Sequence, residues 1–147
     1  MASRIPMIRA MASEDLEQII EIDTRVLGKS RPEYWEMKVE LAEKRSPMSS
    51  LVAELDSEVV GFIMGDASGW EYAVPEHIGW IDTIGVAPGF QRKGIAKMLL
   101  TEMVNNLKKV GVTTIYTFVN WREWSLLGFY DAVGFQKGDM INLELKV

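Results

Sequence analysis

The 147-residue chain contains no cysteine, which excludes disulfides, thiolate metal sites and a cysteine nucleophile and leaves the redox compartment unmarked. Histidine occurs once, at His77, so any imidazole chemistry rests on that position. No stretch reaches the ~18 consecutive apolar residues of a membrane span. Residues Met1 to Arg9 lack the long apolar core of a signal peptide. Repeats, low-complexity tracts and linkers are missing as well. These absences lead to the expectation of a cytoplasmic protein with no membrane attachment. The net charge of −5 gives little electrostatic support to nucleic-acid binding, whereas a cationic or amine partner suits the field.

What remains is an ordinary globular composition, 48% hydrophobic and 25% charged, and a length that suits one domain with one good core. The chain is organised around residues 81–100. An apolar, β-branched run, Ile81-Asp82-Thr83-Ile84-Gly85-Val86, stops at Pro88-Gly89. A short basic turn follows, and then the spacing becomes helical. Ile95/Ala96, Leu99/Leu100, Met103/Val104 and Leu107 share one face of that helix. Its first-turn N–H groups point back over the loop, beside Gln91, Arg92 and Lys93. Free donors, the positive end of the helix dipole and a basic turn make a site suited to a phosphate. Gly94 lets the main chain approach such an anion without a Cβ in the way.

Either side of this centre the pattern predicts a first strand over Ile5–Ala10 and a helix opened by Ser13 as N-cap. Leu16, Ile19, Ile20, Val26 and Leu27 form its apolar stripe. A second helix begins at Ser30-Arg31-Pro32-Glu33, with Tyr34, Met37 and Leu41 on one face, and fades by Ser46-Pro47. Leu51–Leu55 and Val59–Met64 form a hairpin around Asp56-Ser57-Glu58, followed by a polar and aromatic loop over Asp66–His77 that holds Trp70, Glu71, Tyr72 and Glu76. A strand over Ile78–Val86 leads into the central helix. After a stop at Val110-Gly111 come a strand over Thr113–Val119, a helix over Trp121–Val133, and a last strand over Phe135–Val147 in which Ile141, Leu143 and Leu145 alternate with polar residues. The order β-α-α-β-β-β-α-β-α-β is that of one mixed α/β domain, residues 1–147.

Gln91-Arg92-Lys93-Gly94-Ile95-Ala96 resembles the Q/R-x-x-G-x-G/A signature with which the GCN5-related N-acetyltransferases hold the pyrophosphate of acetyl-CoA. Downstream, Phe129-Tyr130-Asp131-Ala132-Val133-Gly134-Phe135 is similar to that family's F/L-Y-x-x-x-G-F segment. Two motifs in the same order and spacing, with a matching layout of elements along nearly all of the chain, carry the resemblance. It implies an α/β (α+β) fold with a twisted, mostly antiparallel sheet. That sheet would be splayed between Ile78–Val86 and Thr113–Val119 so that the pantetheine arm inserts like an extra strand. It further implies acetyl-CoA as co-substrate, an amine acceptor that is a small molecule or a peptide, no metal, and, since relatives often dimerise, room for a homodimer.

By the same resemblance, the backbone N–H groups of Arg92, Lys93, Gly94, Ile95, Ala96 and Lys97 contact the pyrophosphate. Ile84 and Val86 pair with the pantetheine, and an N–H near Gly85 or Val86 faces the acyl oxygen. Tyr130 protonates the departing thiolate. Asp82, on the fourth strand where relatives often carry an acidic residue, is a candidate general base, although strand alternation leaves its face open. Glu76 and His77 at the mouth of that strand are further candidates, and Glu71 is a candidate for the acceptor side. Each has a plain structural alternative: a basic surface turn for Gln91–Lys97, an aromatic core residue for Tyr130, a solvated strand end for Glu76 and His77.

The last helix departs from one common family pattern. Glu123 stands where many relatives carry an asparagine seven residues before the tyrosine, and Asn120 lies ten before it. Ser125 is the alternative donor for that cofactor contact, or a capping residue. Phe118 stands in place of the strand-five glutamate of the N-terminal alanine acetylases of ribosomal proteins. Two other functions fit the same residues. One is a non-catalytic acyl-CoA sensor that keeps the cradle without using Tyr130; the other is an interaction module built on Trp70, Tyr72, Trp121 and Trp124.

Overall fold

The computed structural model describes residues 5–45, 48–68 and 77–147. Its elements run β1 (Met7–Ala10), a 3-10 turn over Ser13–Asp15, α1 (Leu16–Leu27), α2 (Pro32–Arg45), β2 (Ser50–Leu55), β3 (Glu58–Ser68), β4 (Ile78–Val86), α3 (Ile95–Lys109), β5 (Thr114–Thr117) and α4 (Trp124–Ala132). The contacts divide the chain into two compact units, Met1–Thr117 and Phe118–Val147. No helix among the described residues is long and apolar enough to cross a membrane.

The first unit is a five-stranded sheet in the order β1-β2-β3-β4-β5, with β1 to β4 antiparallel to their neighbours and β5 parallel to β4. The β2–β3 hairpin closes through Asp56 and Ser57, whose φ angles of 51° and 65° are the paired left-handed residues that match strand twist in a two-residue turn. On one face, α1 and α2 bury Ile19, Ile22, Trp35, Val39 and Ala42 with Val52, Phe62 and Met64 of the sheet. Trp35 meets Phe62 edge-on at 5.0 Å between ring centroids. On the other face α3 buries Ile95, Leu99, Leu100, Met103 and Leu107, as its spacing predicts. It comes so close to the sheet that β3 carries Gly61 and Gly65 beneath it. A Cβ at Gly61 would lie 3.2 Å from Ile95 and 3.3 Å from Leu99.

Several local expectations are corrected. The stripe on α1 is narrower than its pattern, for Val26 and Leu27 are 51% and 53% exposed. On α2 the buried row is Trp35, Val39 and Ala42, while Met37 and Leu41 face outward; the apolar spacing supports two faces, and the bulky indole takes the core. The start of α1 is organised by Asp15 instead of Ser13. Ala12 occupies the N-cap of the preceding 3-10 turn, and its N–H donates to the Asp15 carboxylate at 2.9 Å. Arg9 closes on the same carboxylate in a two-pronged pair of 2.9 and 2.8 Å. Burial pushes the Asp15 carboxyl up, but the hydrogen bonds from Arg9 and Ala12 outweigh it and hold the group below its ordinary value.

Residues Asp66 to Ser68, expected in a loop, continue β3 and pair with Ile78 to Trp80; Trp70, Glu71, Tyr72 and Glu76 lie outside the described residues. In the second unit the expected strand over Phe135–Val147 is not formed. Ile141, Leu143 and Leu145 are 82%, 85% and 85% exposed. Alternation provides an apolar face but no ladder partner, and a strand needs both.

Candidate active site

The loop after β4 is wound by three left-handed residues within six positions, Gly89 (φ 93°), Arg92 (φ 62°) and Gly94 (φ 83°). For Arg92 that conformation costs about 1–2 kcal/mol, strain of a kind that marks functional turns. Gly94 is the N-cap of α3, no side chain caps the helix, and its first turn has no acidic residue. The N–H groups of Ile95, Ala96 and Lys97 are those that helix geometry leaves without an intrahelical acceptor; the next, of Met98, donates to the Gly94 carbonyl at 3.0 Å. A Cβ built on Gly94 would meet nothing within 4 Å, so open space adjoins the main chain where those donors begin. Arg92, Lys93 and Lys97 are exposed around it. A diphosphate fits this turn in charge, donors and clearance. Gln91 acts on the strand side: its amide donates to the Val86 carbonyl at 3.0 Å and so pins the turn to the end of β4. A groove of about 220 Å³ beside the turn is lined by Pro6, Leu55, Phe90, Lys93 and Ile95, and the Lys93 ammonium lies 5.7 Å from the centre of the Phe90 ring.

The edge of β4 that leads to this turn is open. β5 pairs only with Ile78 to Ile81, and the Thr117 hydroxyl donates to the Ile81 carbonyl at 3.1 Å where the ladder stops. From Asp82 to Val86 that edge has no strand partner among the described residues, which is the splay the resemblance implies. A bulge begins at the same point. Met64 pairs with Thr83 and Gly65 with Ile81, leaving Asp82 as the extra residue. Bulges redirect a side chain that strict alternation would assign to the other face.

The bulge turns Asp82 toward α2. Its carboxylate accepts from Lys38 Nζ at 3.1 Å, with the two side chains 41% and 25% exposed respectively. The Lys38 ammonium also lies 5.7 Å from the centre of the Tyr34 ring, and the Arg31 guanidinium covers the same ring at 4.4 Å. Arg31 is in turn held by two 2.9 Å bonds to Asp23. Burial raises the Asp23 carboxyl, yet the hydrogen bonds and charge of Arg31 offset it and keep the group below its ordinary range. Lys38 is the residue that sequence reasoning missed. It sits one turn after Tyr34 on α2, and only the tertiary pairing distinguishes it from other surface lysines. His77 is exposed, with φ 72°, and its carbonyl accepts from the Thr113 N–H at 2.8 Å, anchoring the entry to β5.

In the second unit, Tyr130 is buried on α4 between Phe129 at 5.3 Å and Phe135 at 4.9 Å. Its carbonyl accepts from the Phe135 N–H at 2.9 Å. Ser125 is exposed in the first turn of α4, where Glu123 holds the N-cap without a side-chain bond, so Ser125 is not the capping residue. Asn120 is engaged locally, its side-chain oxygen accepting from the Arg122 N–H at 3.0 Å. Trp121 and Trp124 are 65% and 74% exposed.

Comparison with known proteins agrees with this layout. Residues 14–135 match the model of the Acetyltransferase (GNAT) family. Among solved structures, the chain is similar to an aminoglycoside N-acetyltransferase, AAC(6')-Iy, in complex with CoA, at 16% identity and a TM-score of 0.84, covering 99% of this chain and 97% of that one. It is similar to PaiA N-acetyltransferase from Thermoplasma acidophilum in complex with coenzyme A, at 22% identity and a TM-score of 0.72, covering 93% of each chain. It is also similar to Ard1 from Thermoplasma volcanium, at 20% identity and a TM-score of 0.75, covering 89% of this chain and 82% of that one. At these identities the structural likeness is one of fold.

Proposed function

Because the chain belongs to the GNAT acetyltransferase family, we propose that it moves the acetyl group of acetyl-CoA to a primary amine by direct transfer within a ternary complex. The observation that carries this reading is the alignment of two features in one unit: an uncapped helix N-terminus at Gly94 and a strand edge left open from Asp82 to Val86. The main chain from Arg92 to Lys97 would hold the diphosphate, and Ile84 and Val86 would pair with the pantetheine arm. The co-substrate supplies an acyl carbon activated as a thioester.

An ammonium acceptor must lose a proton before its nitrogen can attack. Asp82, turned outward by the bulge, is the group we assign to that proton. An N–H near Gly85 or Val86 would face the charge that develops on the acyl oxygen. Tyr130 would return a proton to the sulfur, and Ser125 would add a cofactor hydrogen bond. The acceptor is a cationic amine, a small molecule or a peptide, in keeping with the net charge of −5. Calorimetry with CoA, followed by acetylation of an amine panel, tests the proposal. Heat with CoA but no single-turnover transfer to any amine would favour a non-catalytic acyl-CoA sensor, and no heat would remove the cofactor reading.

A further inference from the structure

We propose that Lys38 is itself an acetyl acceptor, so that the chain modifies its own active-site rim. The inference rests on the proposed cofactor site and deepens it. If a diphosphate sits at Gly94, the arm attached to it follows the open edge of β4 from Val86 back toward Asp82. That is roughly 13 Å at about 3.3 Å per residue, the order of length over which a pantetheine arm extends. The thioester end of such an arm reaches the bulge. The side chain already in place there is Lys38, with its nitrogen 3.1 Å from Asp82 and 5.7 Å from the centre of the Tyr34 ring. A primary amine is thus held against the carboxylate assigned to deprotonate the acceptor, next to the position of the acyl carbon. Proximity of this kind is worth several powers of ten in rate.

The transfer balances without a further reagent. The Lys38 ammonium gives one proton to Asp82, and its nitrogen forms the bond to the acyl carbon. The C–S bond breaks and its electron pair leaves with sulfur. The second nitrogen proton is lost as the amide forms. One proton ends on the thiol and one in solvent. The product is neutral, so Asp82 loses its ion-pair partner and becomes free for the ammonium of an external acceptor.

The test is peptide-resolved mass spectrometry of the full chain incubated with acetyl-CoA, with CoA calorimetry on the same preparation. Lys44 is the internal control, an exposed lysine on the same helix, paired with Glu40 at 2.8 Å. Lys38 should acquire acetyl at least about tenfold faster than Lys44, a barrier difference of about 1.4 kcal/mol, at a rate independent of protein concentration. Asp82→Asn should slow it by a similar factor, and Lys38→Arg, which keeps the ion pair, should abolish the fast phase in intact mass. If CoA binds and Lys38 is modified no faster than Lys44, or only in proportion to protein concentration, the proposal is overturned while the cofactor reading stands. If CoA does not bind, both fall.

Discussion

Gly94→Ala separates the two things a glycine does at a helix N-cap. The backbone there has φ 83° and ψ 5°, a conformation in which an L side chain costs about 1–2 kcal/mol. A Cβ would meet no atom within 4 Å, so no steric penalty adds to that strain, and a chain of this size should lose roughly 3–6 °C in Tm. The C-cap of α1 provides a matched control: Gly28 has φ 82° and ψ 9° and is equally open. Gly28→Ala should therefore lose the same stability at a residue that is not part of the cradle. The two variants should differ in their affinity for CoA. In Gly94→Ala the new methyl would occupy the clearance through which, on the proposed reading, a diphosphate approaches the amides, and Kd should rise at least about tenfold, or about 1.4 kcal/mol. Gly28→Ala should bind like the parent. Urea denaturation and calorimetry on both proteins give the comparison. Equal CoA affinities for the two variants would refute main-chain grip at the start of α3.

Three more measurements address other parts of the molecule. Gly65→Ala would place a Cβ 2.6 Å from the Trp80 carbonyl oxygen and 2.8 Å from Met103 Sδ; the sulfur can yield but the backbone cannot, so unfolding should cost about 2–4 kcal/mol less in urea. Asp15→Asn removes one partner of an ion pair whose acid is 4% and whose base is 30% exposed. It should destabilise by about 2–3 kcal/mol at pH 7, less than a fully buried pair would lose. Since the Asp15 carboxyl titrates lower folded than unfolded, its contribution is complete above the unfolded value near 4 and is lost as pH falls through the folded one. The gap between Asp15→Asn and the parent should therefore narrow in acid unfolding as pH falls below about 4, and a gap that stays unchanged from about pH 7 down through the acid transition would contradict the ion pair. Tyr130→Phe keeps the buried ring, so stability should change by less than about 1 kcal/mol while kcat falls about 100-fold or more; unchanged kcat would leave Tyr130 a core residue.

Much of this was legible because it is local. The switch from a β-branched run to helical spacing at Pro88 fixes the end of β4 and the buried face of α3, since period-two and 3.6-residue patterns cannot be confused over fifteen residues. The hairpin at Asp56-Ser57 and the Gly94 turn were legible for a similar reason, since Asp56, Gly89 and Gly94 are of the few types that tolerate a left-handed conformation, whereas the left-handed Ser57 and Arg92 carry no such signal. Which row of α2 faces inward was not. Both Tyr34/Met37/Leu41 and Trp35/Val39/Ala42 are apolar rows, and the choice depends on the space beside Phe62, which no spacing encodes. The last segment shows the converse. Alternation in Ile141, Leu143 and Leu145 describes what a strand would bury, while formation depends on a ladder that residues far along the chain must provide.

The face of Asp82 depends on contacts still more remote in sequence. Alternation through Ile81 and Thr83 leaves two choices, and the bulge decides between them. That bulge forms opposite Gly65, where β3 is squeezed between three neighbours. The Ser49 hydroxyl donates to the Gly65 carbonyl at 2.8 Å, Met103 of α3 presses on one side and the Trp80 carbonyl on another. No side chain fits there, so the strand passes Gly65 at close range and β4 takes up the extra residue. The carboxylate then reaches Lys38 instead of the underside of α3. A glycine on one strand thus sets the direction of an acid on the next, and through it the position of the only lysine whose ammonium meets β4 among the described ion pairs. If that chain of causes holds, Gly65→Ala, beyond its cost in stability, should also dissolve the Lys38–Asp82 pair and lower the acetylation of Lys38 in whatever fraction remains folded.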